Sequence, residues 1–200
     1  MNDRDQVLHR VRSATASRAR GEYPLWDDVL VHSRAIRDSD DPPALFAAKF
    51  EAVGGRLAHD AAAVTAALKE ATSKRGYVDP ALQPLVGDAL GGFTLDTTFD
   101  RARVDEYAFG VTRATAGIAE SGSLLITGDD TASRLGALAP WIHIAVLERA
   151  NIVRTIPDAI ALLGPQTNAL FVTGPSKTAD VEGILIKGVH GPGVQICWLV

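Results

Sequence analysis

Along the second half of the chain, apolar residues fall in short runs: Ala108 to Thr112, Ser123 to Thr127, His143 to Leu147, Ala169 to Thr173 and Val194 to Val200. Runs of that length, carrying β-branched residues and bounded by turn formers, predict buried strands. Between two of them, Ile156 to Leu163 predicts a helix, with Thr155 as its N-cap and Pro157 in its first turn. The first half has a different texture. Residues Asp3 to Ala19 predict a helix that ends at Gly21 and Pro24, and the polar segment Ser33 to Asp41 predicts a loop. Asp41-Pro42-Pro43 then starts a helix through Leu45, Phe46, Lys49 and Phe50, closed by Gly54-Gly55. Arg56 to His59 predicts a short strand, and Asp60 is a good N-cap for a helix over Ala61 to Thr72. In the middle, Pro80, Pro84 and Gly91-Gly92 break the pattern; Leu82, Leu85, Val86, Leu90 and Phe93 supply a modest apolar face without fixing an element type.

Short buried strands alternating with helices define an α/β domain: a mainly parallel sheet flanked by helices. We expect a helical N-terminal extension over residues 1–40 and the α/β domain over 41–200. Ligand sites in parallel sheets lie beyond the carboxyl ends of the strands, and the polar run Gly174 to Glu182 follows one such predicted strand.

Composition narrows the function classes. At 200 residues and 46% hydrophobic content the chain can bury a substantial core. A net charge of -4 offers no general attraction to polyanions, and no RNA-recognition or zinc-finger pattern occurs, so nucleic acid is not an expected partner. The single cysteine, Cys197, excludes a cysteine-held zinc or iron–sulfur site within this chain and reads as a buried thiol in an apolar run. There is no apolar stretch on the order of 18 residues, so no membrane span is expected and the default location is the cytoplasm. Arg4, Arg10, Arg12, Arg18 and Arg20 give the opening segment a basic bias. It reads either as a targeting or docking arm or as a solvated helix with a thin stripe of Val7, Leu8, Val11 and Ala14.

Four groups of residues carry candidate chemistry. In Ala119-Glu120-Ser121-Gly122-Ser123, Glu120 is a general base, nucleophile or hydroxyl acceptor, or else the turn satisfies its own backbone N–H groups. In Gly174 to Glu182, the freed backbone amides with Ser176, Thr178 and the Lys177 cation suit a phosphate or carboxylate; Asp180 and Glu182 pairing with Lys177 is the alternative. The run is not a Walker A loop. His190, in Gly188-Val189-His190-Gly191-Pro192-Gly193, titrates near neutral pH and suits proton transfer or an anion contact, against a structural role in the turn. Arg134 suits bidentate capture of a carboxylate, whereas His143, followed at once by an apolar strand, reads as structural. The five histidines show no metal-ligand spacing, and no bound metal is expected.

These four segments resemble the lactate-utilisation protein C family, the LUD domain. The resemblance rests on Ala119-Glu120-Ser121-Gly122-Ser123, on Arg134 followed by Leu138-Ala139-Pro140-Trp141-Ile142-His143-Ile144, on Gly174-Pro175-Ser176-Lys177-Thr178-Ala179-Asp180-Val181-Glu182 and on Gly188-Val189-His190-Gly191-Pro192. It is strong from about Tyr107 to Val200 and covers the first half only in general plan. The resemblance implies a fold like that of the ribose-5-phosphate isomerase and coenzyme A transferase superfamily. It also implies a part in oxidising L-lactate to pyruvate beside partner proteins that carry iron–sulfur clusters, with no cofactor on this chain. Ser121 and Ser123 stand where the family has threonine, and Lys177 where it has arginine, which keeps the charge but loses the planar fork.

Two functions follow as expectations. One is a non-redox subunit of an L-lactate utilisation system that binds iron–sulfur partners and a small anionic metabolite. The alternative is a stand-alone enzyme of the coenzyme A transferase or sugar-phosphate isomerase type. In that enzyme Glu120 and His190 are catalytic, and Ser121, Gly122, Ser123, Arg134, Gly174, Ser176, Lys177, Thr178, Asp180 and Gly191 hold the anion. Self-association stays open.

Overall fold

The computed structural model describes residues 2–16, 39–128, 130–164, 168–179 and 184–200. The chain divides into two compact units, residues 1–34 and 35–200. In the first, helix α1 (Asp3–Thr15) starts where the Asn2 side chain accepts from the Asp5 N–H at 2.8 Å, and none of its residues is buried. The continuation expected to Ala19, and most of the loop expected over Ser33 to Asp41, lie outside the described residues.

The second unit runs through α2 (Pro42–Ala52), β1 (Arg56–Ala58), α3 (Ala61–Ala67), β2 (Arg75–Val78), α4 (Gln83–Val86), β3 (Thr94–Asp96), β4 (Phe109–Arg113), β5 (Ala116–Ile118) and β6 (Ser123–Thr127). It continues with α5 (Leu135–Leu138), β7 (Ile142–Leu147), β8 (Ile152–Val153), α6 (Ile156–Ala161), β9 (Ala169–Val172), β10 (Lys177–Ala179), β11 (Leu185–Lys187) and β12 (Val194–Leu199). The helix starts follow their caps. Asp41 accepts from the Ala44 N–H at 3.0 Å and Asp60 from the Ala63 N–H at 2.7 Å, while Thr155 and Asp158 form a reciprocal capping box at α6.

Six strands form one parallel sheet in the order β1-β12-β7-β4-β2-β3. Every residue of β7 and nearly every residue of β12 is buried, as expected for central strands covered on both faces. Ile142, Ile144, Val146, Ile196 and Trp198 face one core with Val64 and Leu68 of the α3 region and Leu82, Val86 and Leu90. Ala145, Leu147, Cys197 and Leu199 face a second core with Phe46 and Phe50 of α2, whose rings stack at 5.5 Å, and with Ala119 and Leu124. Each fully buried side chain of this size contributes about 1.5–3 kcal/mol through removal from water.

The remaining strands correct one expectation. Ala169–Val172 is not a strand of the parallel sheet; β9 pairs antiparallel with β6 in a separate four-stranded sheet, β8-β5-β6-β9. The cause lies in the tight β5–β6 hairpin, where Gly122 (φ +64) donates to the Ile118 carbonyl at 2.9 Å and leaves β6 an open edge for β9. The segment after β9 is therefore carried to the main sheet from outside rather than from a parallel strand's carboxyl end. A further two-stranded antiparallel piece joins β10 to β11. Among the described residues no helix is long and apolar enough to cross a membrane.

Candidate functional site

Beyond β9 the chain reaches Gly174 with φ +70, where a Cβ would lie 2.5 Å from the Val53 carbonyl oxygen at the end of α2. Only glycine accepts both that dihedral and that approach. Lys177 then turns its ammonium back to the same carbonyl at 3.0 Å, a favourable place for a cation because unpaired carbonyls concentrate negative charge at a helix C-terminus. An ammonium has three donors, and among the described residues Val53 takes one of them.

Three hydrogen bonds zip this segment to the one before β12. The Ser176 N–H donates to the Pro192 carbonyl at 2.8 Å, the Gly188 N–H donates to the Ser176 carbonyl at 2.9 Å, and the His190 N–H donates to Ser176 Oγ at 3.3 Å. Between the two segments lies a cavity of about 590 Å³, walled by Gly174, Ser176, Lys177, His190 and Gly191 and floored in part by Gln195. Val53, Ala137, Leu138 and Phe171 are also part of its lining. It opens beside the amino-terminal ends of β7 and β12, not the carboxyl ends expected for a parallel sheet.

Under the cavity the floor is polar and buried. His143 and Gln195 stand opposite each other on adjacent strands, both buried. His143 Nδ1 lies 2.9 Å from Gln195 Oε1, and its Nε2 lies 2.9 Å from Thr112 Oγ1. Burial pushes the His143 imidazole down to about 4, with the Gln195 contact opposing, so the ring is neutral at pH 7.

The other expected residues sit elsewhere. Glu120 is half-buried and does not line the cavity; its Oε1 accepts from the Ile156 N–H at 2.7 Å, and its own N–H donates to the Arg154 carbonyl at 3.0 Å. It tethers the first turn of α6. Ser121 and Ser123 share a hydrogen bond at 2.8 Å, and Ser123 bonds Thr173 of the cavity wall at 2.7 Å. Gly122 is buried against α2, where a Cβ would collide with the backbone of Lys49 and Phe50. Arg134 lines a different cavity of about 480 Å³ with Phe99, Arg101 and Leu170, and Leu138 lines both. Thr178 sits in β10 opposite Ile186, away from the lining. Asp180 lies outside the described residues, as does Glu182.

The residue that sequence reasoning missed is Gln195. Its signal was present: one polar side chain at the second position of the apolar run Val194 to Val200, where a buried amide must have a partner.

The sequence profile of the LUD domain matches residues 50–200, and the chain belongs to that family. It is 35% identical over 91 residues to lactate utilization protein C 1 of Bacillus mycoides (strain KBAB4), which covers 42% of this chain and 39% of that protein. It is 36% identical over 91 residues to lactate utilization protein C of Oceanobacillus iheyensis, with the same coverage of 42% and 39%. The protein of that name from Bacillus licheniformis is 32% identical over 106 residues, covering 49% of this chain and 44% of the relative. The chain thus spans under half the length of the curated relatives it matches. Among solved structures, a DUF162 family protein from Deinococcus radiodurans superposes with a TM-score of 0.57 at 20% identity, over 80% of this chain and 96% of that one. That likeness establishes a shared fold.

Proposed function

We propose that this chain is the LUD-domain component of an L-lactate utilisation system, a subunit without redox chemistry of its own. It binds a small anionic metabolite between the Gly174–Lys177 and His190–Pro192 segments and works beside iron–sulfur partner proteins. The observation that carries the reading is the hydrogen-bonded meeting of those two segments around one cavity with a lysine ammonium at its wall. The names of the relatives supply the pathway. Oxidation of L-lactate to pyruvate releases two electrons and two protons, and a chain with one cysteine cannot hold a four-cysteine iron–sulfur cluster, which fits electron transfer through clusters on partner proteins.

The alternative of a stand-alone transferase or isomerase needs a carboxylate in the cavity, and the Glu120 carboxylate is engaged at α6 instead. The test is genetic and biochemical. A strain deleted for this chain loses growth on L-lactate, regains it with the wild-type gene and regains it poorly with Lys177→Ala, and the tagged chain co-purifies with iron–sulfur proteins. Undiminished lactate oxidation in the deletion strain overturns the proposal.

A further inference from the structure

The polar floor of the cavity specifies what kind of ligand end fits there. Gln195 is 1% exposed, yet it lines the cavity. Its Oε1 lies 2.9 Å from His143 Nδ1, and its Nε2 lies 3.5 Å from the Ile196 carbonyl oxygen, the outer limit of a hydrogen bond. Turning the carboxamide round would set its oxygen against that carbonyl oxygen, acceptor on acceptor. The orientation with Oε1 toward His143 is therefore the consistent one.

That choice fixes the rest of the chain of bonds. An amide oxygen only accepts, so His143 Nδ1 carries the proton. The neutral ring then accepts at Nε2, and Thr112 Oγ1 donates to it at 2.9 Å. All three side chains are buried, so water does not compete for these contacts. Among the described residues, Gln195 Nε2 has no acceptor besides the distant Ile196 carbonyl. A buried donor with one hydrogen unmatched, on the wall of a cavity, is a group awaiting an acceptor.

Resting on the reading of this cavity as an anion site, we infer that Gln195 is a ligand-contacting residue at its floor, donating its amide hydrogen to a carboxylate or carbonyl oxygen, with His143 and Thr112 as positioning residues. The site then takes a small carboxylate whose inner end only accepts hydrogen bonds, with Lys177 and the loop amides at the wall. A ligand presenting an ammonium group inward meets a donor facing a donor and is rejected.

The test is NMR on the full chain with pyruvate and L-lactate as probes and ethylammonium as the donor-only control. Pyruvate or lactate shifts the Gln195 side-chain amide signals saturably and ethylammonium does not. Gln195→Met, which keeps the volume and removes the donor, weakens carboxylate binding about tenfold or more, while thermal unfolding confirms that the variant is folded. Nitrogen-15 spectra of the His143 ring give the Nδ1–H tautomer, a signature that mere packing of the ring does not dictate. Three results overturn the inference. If the backbone amides of Gly174 to Lys177 and His190 shift while the Gln195 side chain does not, Gln195 is no contact and the anion site stands. If no cavity signal moves with any carboxylate, the site reading falls with it. An Nε2–H tautomer turns the carboxamide oxygen toward the cavity and reverses the required ligand chemistry.

Discussion

Replacing Gly122 by alanine tests whether the β5–β6 turn is glycine for packing reasons. At φ +64 a side chain costs about 1–2 kcal/mol through the clash of Cβ with the backbone. The added methyl also meets α2, with the Lys49 carbonyl oxygen only 2.7 Å away, and relieving such a contact costs about 1–3 kcal/mol. Against these stands a gain of about 0.4–1 kcal/mol from the stiffer unfolded chain. The net loss is roughly 1–5 kcal/mol, or a fall of roughly 2–20 °C in midpoint for a chain of this size. The control is Gly92→Ala, at an exposed glycine with nothing within 4 Å of a Cβ and no positive φ, where only the unfolded-state gain operates. Urea unfolding of the two variants beside the parent cancels that shared gain. If Gly122→Ala falls within about 0.5 kcal/mol of Gly92→Ala, the reasoning fails.

Three further outcomes are expected. The His143 ring, held down to about 4 in the fold against 6.5 when unfolded, favours the native state fully above pH 6.5 and loses that contribution, about 3 kcal/mol, as pH falls toward 4. NMR titration of the folded protein checks this, and a ring that titrates near 6.5 contradicts it. Burial raises the Cys197 thiol far above its ordinary range, so a disulfide-exchange reagent leaves the native protein unmodified and reacts once denaturant opens the fold; prompt labelling in buffer refutes this. Glu120→Ala removes the acceptor for the Ile156 N–H and costs about 1 kcal/mol, while Glu120→Gln keeps an oxygen there and costs less than half as much. Equal losses in chemical unfolding assign the effect to something other than that hydrogen bond.

The central strands β4, β6, β7 and β12 were legible because burial on both faces requires continuous apolar runs, and α2, α3 and α6 because Asp41, Asp60 and Thr155 cap them as written. β2 and β5 were not, since each contains a glycine that reads locally as a turn. Gly76 is glycine because the Phe109 ring occupies the space of its side chain, and Gly117 because Leu147 and Phe46 do, contacts made across long stretches of sequence. The same distinction applies to the site. Gly174 to Lys177 and His190 to Pro192 announce themselves by composition, but the direction in which Glu120 points depends on Ile156, 36 residues later. Gln195 gains its meaning only from its register with His143 on the neighbouring strand.

One carbonyl, that of Val53, both underlies Gly174 and holds the Lys177 ammonium. Because that bond uses only one of the three ammonium donors, the helix end acts as a fixed anchor that holds the cation at the cavity edge before any guest arrives.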